Sequence, residues 1–484
     1  FGQAVYINHP NGYTTVYGHL NAFAPALAAY VKKMQYEQES WRIFLDIPPG
    51  MFPVKKGDLI ALSGNTGGSE APHVHFEIRT TANDINHNPM LFGMPIQDRS
   101  APVITRLALY DRERGIYDQS PVIFPVRRSG SGFTLLHGPV IVHTTKVSFG
   151  IGAFDTESGT SNPNGIYEAD LSNDGKPVIG FQMDNISYAN TRNVNGHIDY
   201  KTKETRSLSL QQLFQLYGYV NSIYHQVSGD GVIDLSDGTL HSFSILAKDP
   251  VGNQATLRFG VLYKPGFGVL PAIAYPGKEF YPMMLDALET DDCSFYIGEK
   301  CLYDSAHVPY QRIAADLPGS VSAIHIIGEP YVPLQDTFLV RIRPTAVLTP
   351  EQQSKVVMER STSGKKEVKK VEWQNGWASA TFRDFGRFRL VEDETPPEIS
   401  PLGLGHGPNM SRARRIVLVV RDNMGAISSF RAELDGKWLC FSNDKGKAFI
   451  YNFDEHCPHG QHDLKVTAED EAGNRSTKVF HFVR

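Results

Sequence analysis

His73 and His75 lie in Ala71-Pro-His-Val-His-Phe-Glu-Ile-Arg79, where polar and apolar residues alternate. In an extended strand residues i and i+2 face the same side, so the two imidazoles present together and Val74, Phe76 and Ile78 form an opposite, apolar face. Imidazole ligates divalent metals and titrates near neutrality, so such a pair suits one ring for holding a metal and the other for acting on a bound substrate. A His-x-His pattern is weak alone, and its neighbours give it weight. Upstream, Val54 to Ser69 reads as a strand, a Gly-Asn turn and a Gly-Ser loop, and Asn11-Gly-Tyr-Thr-Thr-Val-Tyr-Gly-His-Leu20 brings a third histidine, His19.

Taken in order, these three segments resemble the lysostaphin-type zinc metallopeptidases of bacterial cell walls. The family motifs HxNGYxTxYxHL, VKKGxxIxxxGNTGxS and PHxHFEIR run through residues 9–20, 54–69 and 72–79, and Asn88-Pro89 follows as an Asn-Pro does in the family. The resemblance implies that His75 is a zinc ligand and that His19 and His73 are the catalytic histidines beside the metal. A zinc held by three protein ligands leaves a position for water and lowers its pKa toward ~7, and neighbouring imidazoles can take that proton and steady an oxyanion. His9, beside the Asn-Gly turn, reads as a surface histidine at a strand end.

Two departures qualify the resemblance. The family draws its other two zinc ligands from a His-x-x-x-Asp segment preceding the Gly2-Gln-Ala-Val-Tyr-Ile7 strand, and the first hundred residues supply no substitute, so the chain as it stands is expected to be inactive and to bind no stoichiometric zinc. Because the sequence opens at Phe1 on a strand, without Met, it reads as a piece of a longer protein or a processed product. The second departure is the long stretch from His19 to Val54, whose helix serves as packing or as a wall of the groove.

Other chemistry-bearing residues have plainer readings. Glu455-His-Cys-Pro-His-Gly-Gln-His-Asp463 crowds histidines and a cysteine, but not at the spacing of a zinc finger or ribbon. Cys293 with Cys301 and Cys440 with Cys457 flank local turns, and both pairs are able to oxidise in an exported protein. Asp249-Pro-Val-Gly-Asn253 and Asp470-Glu-Ala-Gly-Asn474 match the left-handed backbone of hairpin turns. Their linear pattern lacks the alternate oxygens and closing Glu of a calcium loop, so the hairpin reading is preferred.

The elements that carry these residues are mostly strands. Short runs of Val, Ile, Tyr, Phe and Thr between Gly and Pro turns predict a mainly β chain. Helices are predicted at Pro25–Gln38, Leu208–Tyr217 and from Thr349. The Asp98–Pro102 and Glu392–Pro397 junctions begin equivalent segments, since Ile245–Tyr263 repeats in Val466–Arg484 and Phe154–Leu171 repeats in Val420–Leu434. The expected organisation is a C-terminal part of a peptidase domain over 1–98, immunoglobulin-like β-sandwiches over 101–265 and 394–484, and a β-rich 266–393 that reads as a divergent sandwich with strands at Val321–Ile327, Thr337–Arg343 and Ala378–Arg389.

The length of 484 residues calls for several domains, and 41% hydrophobic content supplies their cores and excludes global disorder. A net charge of -5 without a basic block excludes a nucleic-acid footprint, and no run reaches the ~18–20 apolar residues of a membrane-spanning helix. The resemblance implies an exported zinc endopeptidase of the periplasm or cell envelope that cleaves peptide cross-links of peptidoglycan. The rival reading is a non-catalytic scaffold whose groove binds cell-wall peptides or a partner hydrolase.

Overall fold

The computed structural model describes residues 1–484 apart from 220, 267–273, 316, 404–408 and 447. The chain is mainly β. At its start, β1 (Gln3–Asn8), β2 (Tyr13–Leu20), β3 (His75–Thr80) and β4 (Ile85–His87) form one antiparallel sheet in that order, and Ile186–Ser187 from the following segment adds the far edge. The β1–β2 turn follows from Asn11-Gly12: the Asn11 side chain accepts from the Tyr13 N–H, and Gly12 takes φ +85°. Thr14, Val16, Gly18 and Leu20 form the buried face of β2.

Helix α1 (Pro25–Glu37) matches its prediction within a residue, with Pro25 in the first turn. Its stripe of Leu27, Tyr30, Val31 and Met34 is only half-covered, and its one buried residue is Gln35, whose amide donates to the Trp41 carbonyl at 2.9 Å. The predicted helix at Leu208–Tyr217 is absent. Leu210, Leu213 and Phe214 are completely buried in irregular chain around Gln211–Gln212, which pairs with Lys146–Phe154, so their helical spacing reflects burial on several sides rather than one amphipathic face. A helix stands just before it, at Tyr200–Arg206, capped by Asp199 accepting from the Thr202 N–H. At Thr349 the predicted N-cap carries a full capping box with Gln352, over a short Pro350–Ser354 helix.

Between residues 103 and 263 a hydrogen-bonded sheet of 12 strands folds around Leu107, Phe149, Ile151, Leu171, Phe181, Phe243 and Leu257. Beyond it, two 5-stranded sheets face each other over Phe295, Phe338, Phe382 and Phe388, and that core runs on without a break into Ala108, Tyr110, Phe214 and Leu216 of the preceding segment. The expected strand Ala378–Arg389 is two strands, Trp377–Phe382 and Gly386–Glu392, because the chain crosses there from one layer to the other. Val321–Ile327 shortens to Ile324–Ile327. The last segment packs a 3-stranded against a 4-stranded sheet over Ile399, Leu418, Tyr451, Leu464 and Phe482.

Both Asp-x-x-Gly-Asn motifs turn hairpins, Leu240–Lys248 to Gln254–Tyr263 and Gln461–Asp470 to Arg475–Val483. None of the four cysteines is paired: Cys293 and Cys301 are buried in the core, and the Cys301 thiol donates to the Thr337 carbonyl. Among the described residues no helix is long and apolar enough to cross a membrane.

Candidate functional site

The β1–β2 pairing is broken by a bulge, since Gln3 faces Leu20 and Val5 faces Tyr17, leaving Gly18 and His19 opposite Ala4 alone. His19 takes φ +59° there, a left-handed backbone that a residue with a Cβ adopts at a cost. The bulge re-aims the ring: His19 and His73 stand with ring centroids 4.9 Å apart, and His19 and His75 5.7 Å apart at a right angle. Gly18 lies across from His75, and a Cβ on it would come within 3.3 Å of the His75 Cβ and 3.1 Å of the Phe1 ring. The missing side chain makes room for the imidazole.

The structure therefore brings together all three histidines singled out from the sequence, though not quite as one strand. β3 begins at His75, and His73 is held just ahead of it by an isolated bridge in which its N–H donates to the Gly64 carbonyl at 3.0 Å. The expected apolar face is also revised. Val74 is exposed, whereas Arg79, on the histidine face, is only 3% exposed under the rings of Phe1, Tyr6 and Tyr188. A guanidinium can be buried there because aromatic faces and the carboxylates of Glu77 and Asp84 replace its water.

Hydrogen bonds set the protonated nitrogen of each ring. A carbonyl only accepts, so His19 Nδ1 donates to the Thr66 carbonyl (2.7 Å) and His73 Nδ1 to the Ala71 carbonyl (2.9 Å). In their neutral forms both rings then carry a free lone pair on Nε2. His75 is the reverse: its Nε2–H donates to Glu77 Oε1 at 2.6 Å, and Nδ1 keeps the lone pair. Glu77 is a site residue the sequence reading passed over. The same i, i+2 alternation that paired His73 with His75 carries on to Glu77 and was the available signal.

The Asn65–Ser69 loop anchors two of the rings. Thr66 receives His19 and places its hydroxyl on the Leu20 carbonyl at 2.8 Å, and Ser69 Oγ lies 3.2 Å from His73 Nδ1. Gly67 is required by backbone approach: at φ +66° its Cβ would sit 2.3 Å from the Gly2 nitrogen. This loop is covered by the last segment, where Asp444 accepts from the Gly67 N–H at 2.8 Å and Lys445 Nζ donates to the carbonyls of Gly67 and Ser69 at 2.9 and 2.7 Å. No local sequence signal points to Asp444 and Lys445, which come to the site only through the fold.

His9 bonds Thr15 Oγ1 at 2.8 Å and stays at the strand end, away from the trio. The histidine-rich segment near the C-terminus does not converge as a metal site of imidazole and thiolate. His462 turns to Asp435 at 2.7 Å and to the Pro458 carbonyl, while His456 stacks on Tyr36 of α1 at 3.6 Å. Asp454 and Glu455 share Lys32 of α1 as an ion-pair partner at 2.7 and 3.0 Å, so α1 docks on the last segment.

Among the described residues, the clusters of three donor groups whose ligand atoms gather within 4.8 Å are Asp454–His456, Asp98 with Asp155 and Asp249, and Asp393 with Asp422 and Asp470. The histidine trio is not among them, so His19, His73 and His75 do not by themselves complete a zinc site.

Comparison with known proteins gives partial matches. Residues 282–393 match the Zu5-like domain family. Over 95 residues the chain is 30% identical to the DD-carboxypeptidase/endopeptidase Mpg of Neisseria meningitidis serogroup B, covering 20% of this chain and 16% of that protein. The counterpart from Neisseria gonorrhoeae matches with the same identity and coverage. The chain thus spans 16% of the length of the curated relatives it matches. Among solved structures, fibronectin(III)-like modules of Clostridium thermocellum CbhA share 13% identity over 30% of this chain and 83% of theirs, at a TM-score of 0.15. The N-terminal eight Ig domains of the Down Syndrome Cell Adhesion Molecule share 8% over 88% of this chain and 75% of theirs, at 0.13.

Proposed function

We propose that the sheet carrying His19, His73 and His75 is the substrate-facing part of a zinc-dependent endopeptidase that hydrolyses peptide cross-links of peptidoglycan in the cell envelope. The observation that carries this reading is the convergence of three imidazoles whose tautomers are set by Thr66, Ala71 and Glu77. Partial identity to a DD-carboxypeptidase/endopeptidase supports the reaction class. His75 is assigned one coordination position through Nδ1, and zinc requires further donors beyond the trio, so the proposal concerns the whole protein. The chemistry zinc supplies when bound is polarisation of the scissile carbonyl and of a water.

His19 and His73 then have roles of their own. Each presents an Nε2 lone pair, and each Nδ1–H is already committed to a carbonyl, so the rings can take a proton at Nε2 without losing their orientation. A ring so protonated donates a hydrogen bond to the oxyanion of the tetrahedral intermediate or passes the proton to the leaving amine. The second reading, a non-catalytic scaffold that binds wall peptides or a partner hydrolase, draws support from the Phe1 ring lying 4.8 Å from that of His75.

The test is zinc content and release of soluble peptides from purified peptidoglycan by the whole protein, beside its His73→Ala and His75→Ala forms. One zinc per chain, lost in His75→Ala, together with turnover reduced about 100-fold or more in His73→Ala, is the expected result. Absence of both zinc and hydrolysis hands the groove to the binding reading.

A further inference from the structure

The repeat noted in the sequence has a chemical consequence at its two junctions. Asp98 comes from the junction before the 103–263 sheet, Asp155 from the end of strand Lys146–Phe154, and Asp249 from the hairpin turn, and their carboxylate oxygens gather within 4.8 Å. Asp393, Asp422 and Asp470 come from the same three places in the last segment and gather equally. The supporting bonds repeat too: Asn253 donates its amide to Asp249 and to the Asp98 carbonyl, and Asn474 donates to Asp470 and to the Asp393 carbonyl.

Three carboxylates so close, two of each three buried from water, need compensation. Asp155 and Asp249 are 3% and 2% exposed, as Asp393 and Asp470 are each 2% exposed. Among the described residues none of the six aspartates forms an ion pair with Lys, Arg or His. Asp98 and Asp249 accept from N–H and hydroxyl donors, from Ser100 and Ser158 on one and from Val251, Gly252 and Asn253 on the other. On Asp155 the Thr156 N–H supports the carboxylate, but its Oδ1 is buried with no hydrogen-bond partner, and so is Oε2 of the neighbouring Glu157. In the second cluster Asp422 Oδ1 is likewise buried and without a partner.

We propose that Asp98, Asp155 and Asp249 hold a calcium ion, and that Asp393, Asp422 and Asp470 form a second calcium site at the equivalent junction. The donors are all oxygen, which selects a hard cation, and the remaining positions of a calcium shell fall to water and, in the first site, to Glu157. The linear Asp-x-x-Gly-Asn motif lacks the ligands of a calcium loop, and the fold supplies them from three separated segments instead. Each ion would tie the entry of its segment to a hairpin turn 151 residues further along the chain in the first case and 77 in the second. Lys355 Nζ, 2.7 Å from Asn474 Oδ1, places a fixed cation near the second cluster, so the second site binds more weakly than the first.

The experiment is calorimetric titration of the chelator-treated full chain with calcium chloride, beside magnesium chloride and beside the Asp155→Asn and Asp422→Asn forms, with thermal unfolding followed in parallel. Two calcium ions bind, unfolding shifts upward by several degrees, and each variant loses one ion. A single ion lost only in Asp155→Asn retains the first site and overturns the second. The proposal fails if calcium at about 10 mM neither binds nor shifts unfolding, if magnesium binds as well as calcium, or if both variants bind as the parent does. It fails also if Asp155→Asn raises stability while calcium leaves the parent unchanged, since a proton then does the compensating. The parent's own titration decides the matter if a variant does not fold.

Discussion

His19 carries a backbone cost that goes with the placement of its ring. A side chain at φ +59° is disfavoured relative to glycine, and the bulge that imposes it is what turns the ring toward His73 and His75. Two substitutions separate the strain from the chemistry. His19→Gly is expected to be more stable than His19→Ala by about 1 kcal/mol in denaturant titration, because only the alanine keeps a Cβ in the left-handed region. Both should abolish alike the hydrolysis proposed for the whole protein, and equal stability of the two would remove strain from the account.

At the scale of single elements, polar groups are placed inside cores by the ends of short helices. His197 closes the Val194–His197 turn, completely buried, with its ring 4.5 Å from Phe181 and Nδ1 2.8 Å from the Tyr224 hydroxyl. Burial drives its pKa down to about 3 from an ordinary 6.5. The unfolded chain therefore binds a proton that the folded chain refuses between those values. Stability is complete above about pH 6.5 and falls as pH drops below it, by up to about 1.4 kcal/mol per unit from this residue. Unfolding midpoints measured from pH 7 to pH 5 should fall less steeply in His197→Gln, whose side chain does not titrate. An unchanged slope would assign the acid sensitivity elsewhere, for instance to His325, whose buried ring is depressed to about 4.

For the molecule as a whole, the last segment returns to the first. Asp444 and Lys445 bond the Gly67 and Ser69 backbone, α1 contributes Lys32 and Tyr36 to Asp454, Glu455 and His456, and Arg431 pairs with Glu39 at 2.8 Å. The loop that orients His19 and His73 is thus braced from nearly 380 residues away. Replacing both Asp444 and Lys445 by alanine should speed amide exchange at Gly67 and its neighbours by about tenfold or more while leaving the hairpin Gln461–Val483 protected. If exchange at residues 65–69 is unchanged, the loop is rigid without its cover.

Local chemistry was legible in the chain. Alternation along residues 71–79 and the Gly-Asn punctuation of the turns announced the histidine strand and the hairpins, and Pro25 and Thr349 marked the helix starts, because side-chain direction and φ preference act over a few residues. The helix misplaced at 208–217 shows where that logic ends: apolar spacing records burial, and burial there comes from several directions at once. The mainly β class and the repeated segments followed from the sequence by itself, since strand patterning and turn chemistry are local properties. Tertiary structure alone decided which nitrogen of His19 is free, through a carbonyl 47 residues away, and that aspartates distant in sequence converge twice. Those outcomes depend on register, bulges and packing between segments, which no window of neighbouring residues encodes.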